Sequence, residues 1–466
     1  MEQKRNSFSG SIGFVLAAAG SAVGLGNIWR FPYLAAKDGG GLFLVVYLIL
    51  ALTFGFTLLV TEVAIGRKTK QSCLTAYGNI HKKWKWLGSI ASAVPFIILP
   101  YYCIIGGWVL KYCIAFITGQ GLDAAGDGYF TGFISSPVEP IVYNVVFLAA
   151  TCFVVFRGVN KGIEAFSKVL MPALLVLVIG IAIYSLTIHG GPENDNRTGI
   201  DGLLVYVVPS INGMSFKDIL VVVMDAMGQL FYSISIAMGI MVTYGSYFKD
   251  KDNLMKSVNQ IEIFDTIVAF LAGVMIIPAV FVFLGPEGMS SKGPGLMFVA
   301  IPKIFAQMGI TGRIIGIVFF LMVLFAALTS SVSILEAIVA SAIDKTGTSR
   351  KKATLVEGAI ALAIGVVICM GYNLLYFEFP LPNGATAQLL DIADYLSNNI
   401  LMPIVAIGTC LLIGWIVKPK TVIDEVTKNG ERFGRRILDI VMVRFIAPIM
   451  LFVLLLGSLG VFNNLT

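Results

Sequence analysis

Eleven stretches of mostly apolar residues run through this chain of 466 residues, at roughly 11–36, 42–66, 87–118, 141–156, 166–188, 218–244, 261–284, 314–342, 354–372, 389–417 and 440–462. A helix needs about 20 such residues to cross a bilayer, and most of these runs lack the alternation of a barrel strand. Charged residues make up only 13% of the chain, about half the share of a soluble domain. That excludes a disordered chain, a basic nucleic-acid binder and a typical cytosolic enzyme. The expected fold is an all-α membrane protein with eleven transmembrane helices. The first stretch resembles a signal peptide at Lys4 and Arg5 but continues to Asn27 and Arg30, too far for a cleaved one.

Basic residues orient the spans. Of the 33 Lys and Arg, 24 fall in one alternate set of loops, including Arg67 to Lys85, Arg157 to Lys168, Lys345 to Lys352 and Lys418 to Arg436. The net charge of +6 therefore reads as orientation, with a cytoplasmic amino terminus and, after eleven spans, an extracellular carboxyl terminus in the cell membrane. The six cysteines lie in or beside spans without a CxxC pair, which supports neither a disulfide framework nor a zinc site. No P-loop, GxSxG or HExxH pattern is present, and the expectation is a protein that is not an enzyme.

Two spans five apart are interrupted. Span 1 contains Gly20-Ser-Ala-Val-Gly24-Leu-Gly26-Asn27, and span 6 contains Gly228-Gln-Leu-Phe-Tyr232-Ser-Ile-Ser235-Ile-Ala-Met-Gly239. Glycine disfavours a helix interior by about 1 kcal/mol, and matched breaks in two halves mark a binding site at membrane depth. The competing reading is close helix packing through small residues. Freed amides suit an anion and freed carbonyls a hard cation, so a zwitterionic amino acid with sodium satisfies both. Asp265 in span 7 and the hydroxyls of Thr329-Ser330-Ser331 in span 8 add cation ligands, although membrane Ser and Thr often bond their own helix.

The run Gly20-Ser-Ala-Val-Gly-Leu-Gly-Asn-Ile-Trp-Arg-Phe-Pro-Tyr33, with Gly39-Gly-Gly41, Glu62 and Gly66-Arg67, resembles the neurotransmitter:sodium symporter family in its bacterial amino acid branch. The resemblance covers spans 1 to 10. It implies one transporter domain over 1–466, with five-helix repeats of inverted topology at 9–188 and 218–417, discontinuous helices 1 and 6, and an additional helix at 440–462. It also implies a substrate site. The amides of Leu25 and Gly26 and the hydroxyl of Tyr102 would hold a carboxylate; the carbonyls of Ala22, Tyr232 and Ser233, with Ser235, would hold the ammonium. Gly24 would leave room for that carboxylate, whereas monoamine carriers place an aspartate there. Ile98, Tyr102, Tyr232, Met238, Ser330 and Ile334 would line an uncharged side-chain pocket, suited to apolar or aromatic amino acids, unless Ile98, Met238 and Ile334 are ordinary core.

The resemblance further implies two sodium sites. One would use Ala22, Asn27, Ser233, Asp265 and the substrate carboxylate; the other Gly20, Val23, Ala326, Thr329 and Ser330. Animal members carry asparagine where this chain has Asp265 and require chloride, for which Tyr47, Gln229 and Ser233 match the other positions. A fixed carboxylate there implies chloride independence, with proton antiport as a further option. Arg30 and Asp394 would form an outer gate; Arg5 and Asp344, with Phe8, Ser246 and Tyr247, an inner one, although Phe8 replaces the usual tryptophan. Gly162 and Pro172 match a motif whose unwinding admits water to the second sodium site, or simply start a helix. The expected partners are an amino acid and the lipid bilayer, with no nucleic acid. The alternative from another class is an amino acid sensor on the same fold that does not transport; a channel or an enzyme fits less well.

Overall fold

In the computed structural model, which describes residues 7–211, 213–289 and 293–462, nearly every apolar stretch folds as a helix. Nine helices among the described residues are long and apolar enough to cross a membrane, from Gly41–Thr69 (span 2) and Lys82–Thr118 (span 3) to Arg436–Ser458 (span 11). Span 1 is a bent pair, Ser11–Ala22 and Gly26–Lys37, whose halves meet at 52°. The one expected stretch left over, 218–244 (span 6), departs from a continuous span. It folds as Phe216–Ser233 and Ile240–Ser246, and Lys217, Asp218 and Asp225 put three charges into the longer half. By length and composition, ten crossings are therefore counted rather than eleven.

Both breaks fall inside the bundle. Span 1 stops at Ala22 because Val23 is extended, with φ −76° and ψ 94°, and it resumes as a wide π-helical turn over Gly26–Arg30. Span 6 stops at Ser233, and the connection to Ile240 passes through left-handed backbone at Ser235 (φ 53°), Ala237 (φ 59°) and Gly239 (φ 70°). Glycine takes that conformation freely, whereas each L-residue there costs about 1–2 kcal/mol. Tertiary hydrogen bonds hold the two strained positions. The Ser235 hydroxyl donates to the Ser21 carbonyl at 3.0 Å, and the Ala237 amide donates to Oε1 of Glu62 in span 2 at 2.7 Å.

The continuous helices frame these breaks. Span 3 packs along Gly309–Thr346 (span 8), with Tyr112 and Phe116 each 5.3 Å from the Phe320 ring. The first half of span 1 lies against spans 5, 7 and 8 (Val159–Leu186, Leu254–Gly288 and Gly309–Thr346). At one end of the bundle, basic side chains bind loops together. The buried guanidinium of Arg67 pairs with Glu425 at 2.7 Å and donates to the carbonyls of Glu425 and Asp252. Nearby, the Lys70 ammonium bonded to Asp250 at 2.8 Å, with Lys428 at 3.2 Å, holds that carboxyl below its usual range.

Substitutions at two positions test this framework. Arg67→Ala leaves Glu425 buried without its partner and is expected to destabilise the protein by about 3–5 kcal/mol, read as a lowered melting temperature in detergent. Glu62→Ala removes the acceptor of the Ala237 amide, a loss of about 1–3 kcal/mol. Hydrogen exchange is expected to quicken across residues 234–239, with Glu62→Gln closer to wild type.

Candidate functional site

The two breaks face each other across one cavity with about 350 Å³ of atom-free space. Its lining comprises Ala22, Gly24, Leu25 and Gly26 from span 1, Ile98 and Tyr102 from span 3, Tyr232, Ser233, Ser235 and Met238 from span 6, and Ser330 and Ile334 from span 8, together with Ser21 and Asn27. Every residue expected to touch a substrate is thus in one place, and the lining carries no ionised side chain. Span 1 can approach this closely only through glycine. A Cβ on Gly24 would lie 2.8 Å from the Ser330 hydroxyl and 3.2 Å from the Tyr102 hydroxyl; one on Gly26 would lie 2.7 Å from the Tyr232 ring. The Tyr102 hydroxyl faces the Leu25 amide and Ser330 without completing a hydrogen bond, so a polar donor is buried here with capacity to spare.

Asp265 sits behind the break, fully buried. Its Oδ1 accepts from the Asn27 amide and the Ser233 hydroxyl, each at 2.8 Å, and its Oδ2 accepts from Tyr47 at 3.4 Å. These three donors offset part of the cost of burying a carboxylate. Gln229, from the same expected group, donates instead to the Gly26 carbonyl at 3.1 Å. The second expected ion set also converges. The Ser330 hydroxyl lies 3.3 Å from the Gly20 carbonyl and 3.5 Å from that of Val23, and a Cβ on Gly20 would be 3.2 Å from Cβ of Thr329. Thr329 bonds back to the carbonyls of Phe325 and Ala326, at 3.0 and 3.1 Å. Both sets are built from oxygen donors, which suit a hard cation.

Above and below the cavity, the gate residues are placed unequally. Arg30 acts on Asp394 electrostatically but makes no direct ion pair with it among the described residues; Asp394 accepts from Asn398 at 2.6 Å. Arg5 lies outside the described residues. Asp344 accepts from the Ser72 amide at 2.6 Å. Phe8 is buried, with its ring edge-on to Phe14, Tyr244 and Tyr247, and its amide donates to the Tyr247 carbonyl at 3.2 Å. Ser246 is buried beside this cluster in the second half of span 6. Gly162 falls in a π-helical turn over Val159–Glu164, and Pro172 in the helix Ala165–Leu186, so span 5 is wound through both.

Three contributors escaped the sequence reading. Ser21 lines the cavity between two residues that were singled out. Glu62 was noted only within a motif, yet its carboxylate supports the span 6 break. Glu336, fully buried in span 8, takes the Tyr247 hydroxyl at 2.6 Å and both terminal nitrogens of Arg350, at 2.5 and 2.9 Å. An acidic residue inside an apolar span was the available signal for both glutamates.

Comparisons with known proteins agree with this architecture. The model of the sodium:neurotransmitter symporter family matches residues 5–122 and 137–466. The chain is 35% identical to the uncharacterized sodium-dependent transporter YhdH of Bacillus subtilis, over 99% of each chain. It is 26% identical to the sodium- and chloride-dependent taurine transporter of Rattus norvegicus, over 89% of this chain and 71% of that one. A crystal structure of MhsT in complex with L-phenylalanine superposes with a TM-score of 0.84 at 36% identity, covering 97% of this chain and 100% of that one. With broken spans 1 and 6 around a central cavity and a family match along nearly its whole length, this chain belongs to the sodium:neurotransmitter symporter family and is a membrane transporter, not an enzyme.

Proposed function

We propose that this transporter imports a neutral, apolar or aromatic α-amino acid together with two sodium ions, by alternating access and without chloride. The observation that carries the reading is the facing of the two helix breaks across an uncharged cavity, with Asp265 behind them. A carboxylate at Gly24 would meet the amides of Leu25 and Gly26 and the Tyr102 hydroxyl. The opposite, carbonyl-bearing edge at Ala22, Tyr232 and Ser233 would take the ammonium, aided by Ser235. Ile98, Met238 and Ile334 leave the remaining surface apolar, in keeping with the L-phenylalanine bound to MhsT.

Sodium is a co-substrate in this scheme. The first ion would bind among Ala22, Asn27, Ser233, Asp265 and the substrate's own carboxylate, so ion and amino acid share a ligand and each raises the other's affinity. The second would join Gly20 and Val23 to Ala326, Thr329 and Ser330, tying span 1 to span 8. Two charges crossing about 100 mV supply roughly 4.6 kcal/mol, enough to concentrate a zwitterion about a thousandfold before any sodium gradient is added. The Asp265 carboxylate supplies the negative charge that chloride-dependent relatives take from solution. Arg30 and Asp394 would close the outer side, and the Phe8 cluster the inner side. The basic end of the bundle faces the cytoplasm.

Uptake by proteoliposomes tests the reading. Accumulation of apolar or aromatic amino acids is expected with a sodium gradient, to vanish when choline replaces sodium, and to persist when gluconate replaces chloride. Accumulation in choline would contradict coupling, and specific binding without accumulation would favour a sensor. Asp265→Asn is expected to make uptake depend on chloride; equal uptake with and without chloride would remove the assigned role. Gly24→Asp is expected to abolish amino acid binding, because its carboxylate would fill the substrate's anion position.

A further inference from the structure

A second cavity lies on the outer surface of the bundle, between Glu139–Phe156 (span 4) and Arg350–Met370 (span 9). It is an open groove with about 770 Å³ of atom-free space, part of it outside the bundle surface, and its walls include Val145, Leu148 and Phe153 on one side and Leu355 and Leu362 on the other. Its floor is a close helix approach: a Cβ on Gly358 would lie 2.7 Å from the Cys152 sulfur. Phe153 and Leu355 are 60% and 63% exposed, so the groove opens to the surroundings rather than to the transport pathway. From Val145 to Phe156 it follows roughly 16 Å of helix, close to the depth of one leaflet, roughly half of a 30 Å hydrocarbon core.

One end of this groove is positively charged. The Arg157 guanidinium stands 5.4 Å from the Phe153 ring, and the Lys351 ammonium 5.4 Å from the Phe156 ring. Both rings belong to the groove wall, so the two cations sit at its mouth. Neither forms an ion pair among the described residues, whereas the neighbouring Arg350 is committed to Glu336. The backbone between spans 4 and 5 lies alongside, with a Cβ on Gly158 reaching 3.8 Å from Cδ of Arg350. This is the same end of the bundle as Phe8, through Arg350, Glu336 and Tyr247.

We propose that this groove is a binding site for an anionic phospholipid, with an acyl chain along spans 4 and 9 and the phosphate held by Arg157 and Lys351. The match of an apolar channel one leaflet deep to a paired cationic mouth selects this occupant. A free anion would leave the channel unused, and an uncharged lipid would leave the cations unused. A second copy of the chain would have to place an acidic side chain against both cations.

Native mass spectrometry of the purified protein with phosphatidylglycerol and phosphatidylcholine of identical chains tests the site. Wild type is expected to favour phosphatidylglycerol. The Arg157→Gln/Lys351→Gln variant is expected to lose about 25-fold in that preference, since each cation near an anionic surface gives about five-fold. Arg157→Lys is expected to keep it. Ala149→Trp, which fills the groove from an exposed position, is expected to weaken binding of both lipids. Equal binding of the two lipids by wild type would overturn the proposal, as would a double variant that keeps the preference. A groove-filling variant that breaks a dimer while retaining lipid would overturn it in favour of a second copy. The lipid readout does not involve transport, so it stands or falls separately from the uptake experiments.

Discussion

A bilayer offers no water to a backbone that leaves its helix, so each amide and carbonyl freed in mid-membrane must be met by protein or by cargo. Spans 1 and 6 are both interrupted where they face each other, and the surrounding architecture answers that demand. Glu62 reaches from span 2 to the Ala237 amide, Ser235 reaches back to span 1, and Gln229 takes the Gly26 carbonyl. The groups left over, around Leu25, Gly26, Tyr232 and Ser233, border the cavity. Structure and proposed chemistry are therefore linked by one constraint: the polar groups that make the break unfavourable in lipid are those that would recognise a zwitterion and its ions.

The strain in span 6 fits this account. Ser235 and Ala237 hold left-handed backbone without glycine's freedom, and both are fixed by hydrogen bonds to other spans. A break built this way is rigid where it is bonded and polar where it is open. The inner end shows a comparable division. Phe8 and its ring neighbours form an apolar plug, while Arg350, Glu336 and Tyr247 form a buried polar network directly behind it. A buried ion pair contributes little net stability against well-packed apolar residues, but removing one partner is strongly unfavourable. Such a network favours discrete arrangements over gradual loosening.

Much of this was legible in the residues. Runs of apolar side chains determined the helices, because nothing but a helix or a closed barrel satisfies a backbone in lipid. Gly20, Gly24 and Gly26 marked the first break, and the residues assigned to substrate converge on one cavity. Other features were not legible. Span 6 breaks over 234–239 with only one glycine in the connection, since the tertiary bonds of Ser235 and Ala237 override local preference. Its three charges also make its longer half less apolar than the other spans, so ten crossings are counted by length and composition where eleven stretches were expected. Glu62 and Glu336 act through partners more than a hundred residues away or in another span, and spacing along the chain carries no trace of such pairings.

The central claim is that amino acid and sodium share the site between the breaks, and equilibrium binding of L-phenylalanine at varied sodium concentration tests it most directly. The account predicts that affinity rises with sodium and that the amino acid raises sodium affinity by the same factor, as linkage requires. Equal affinity in sodium and in choline would contradict it.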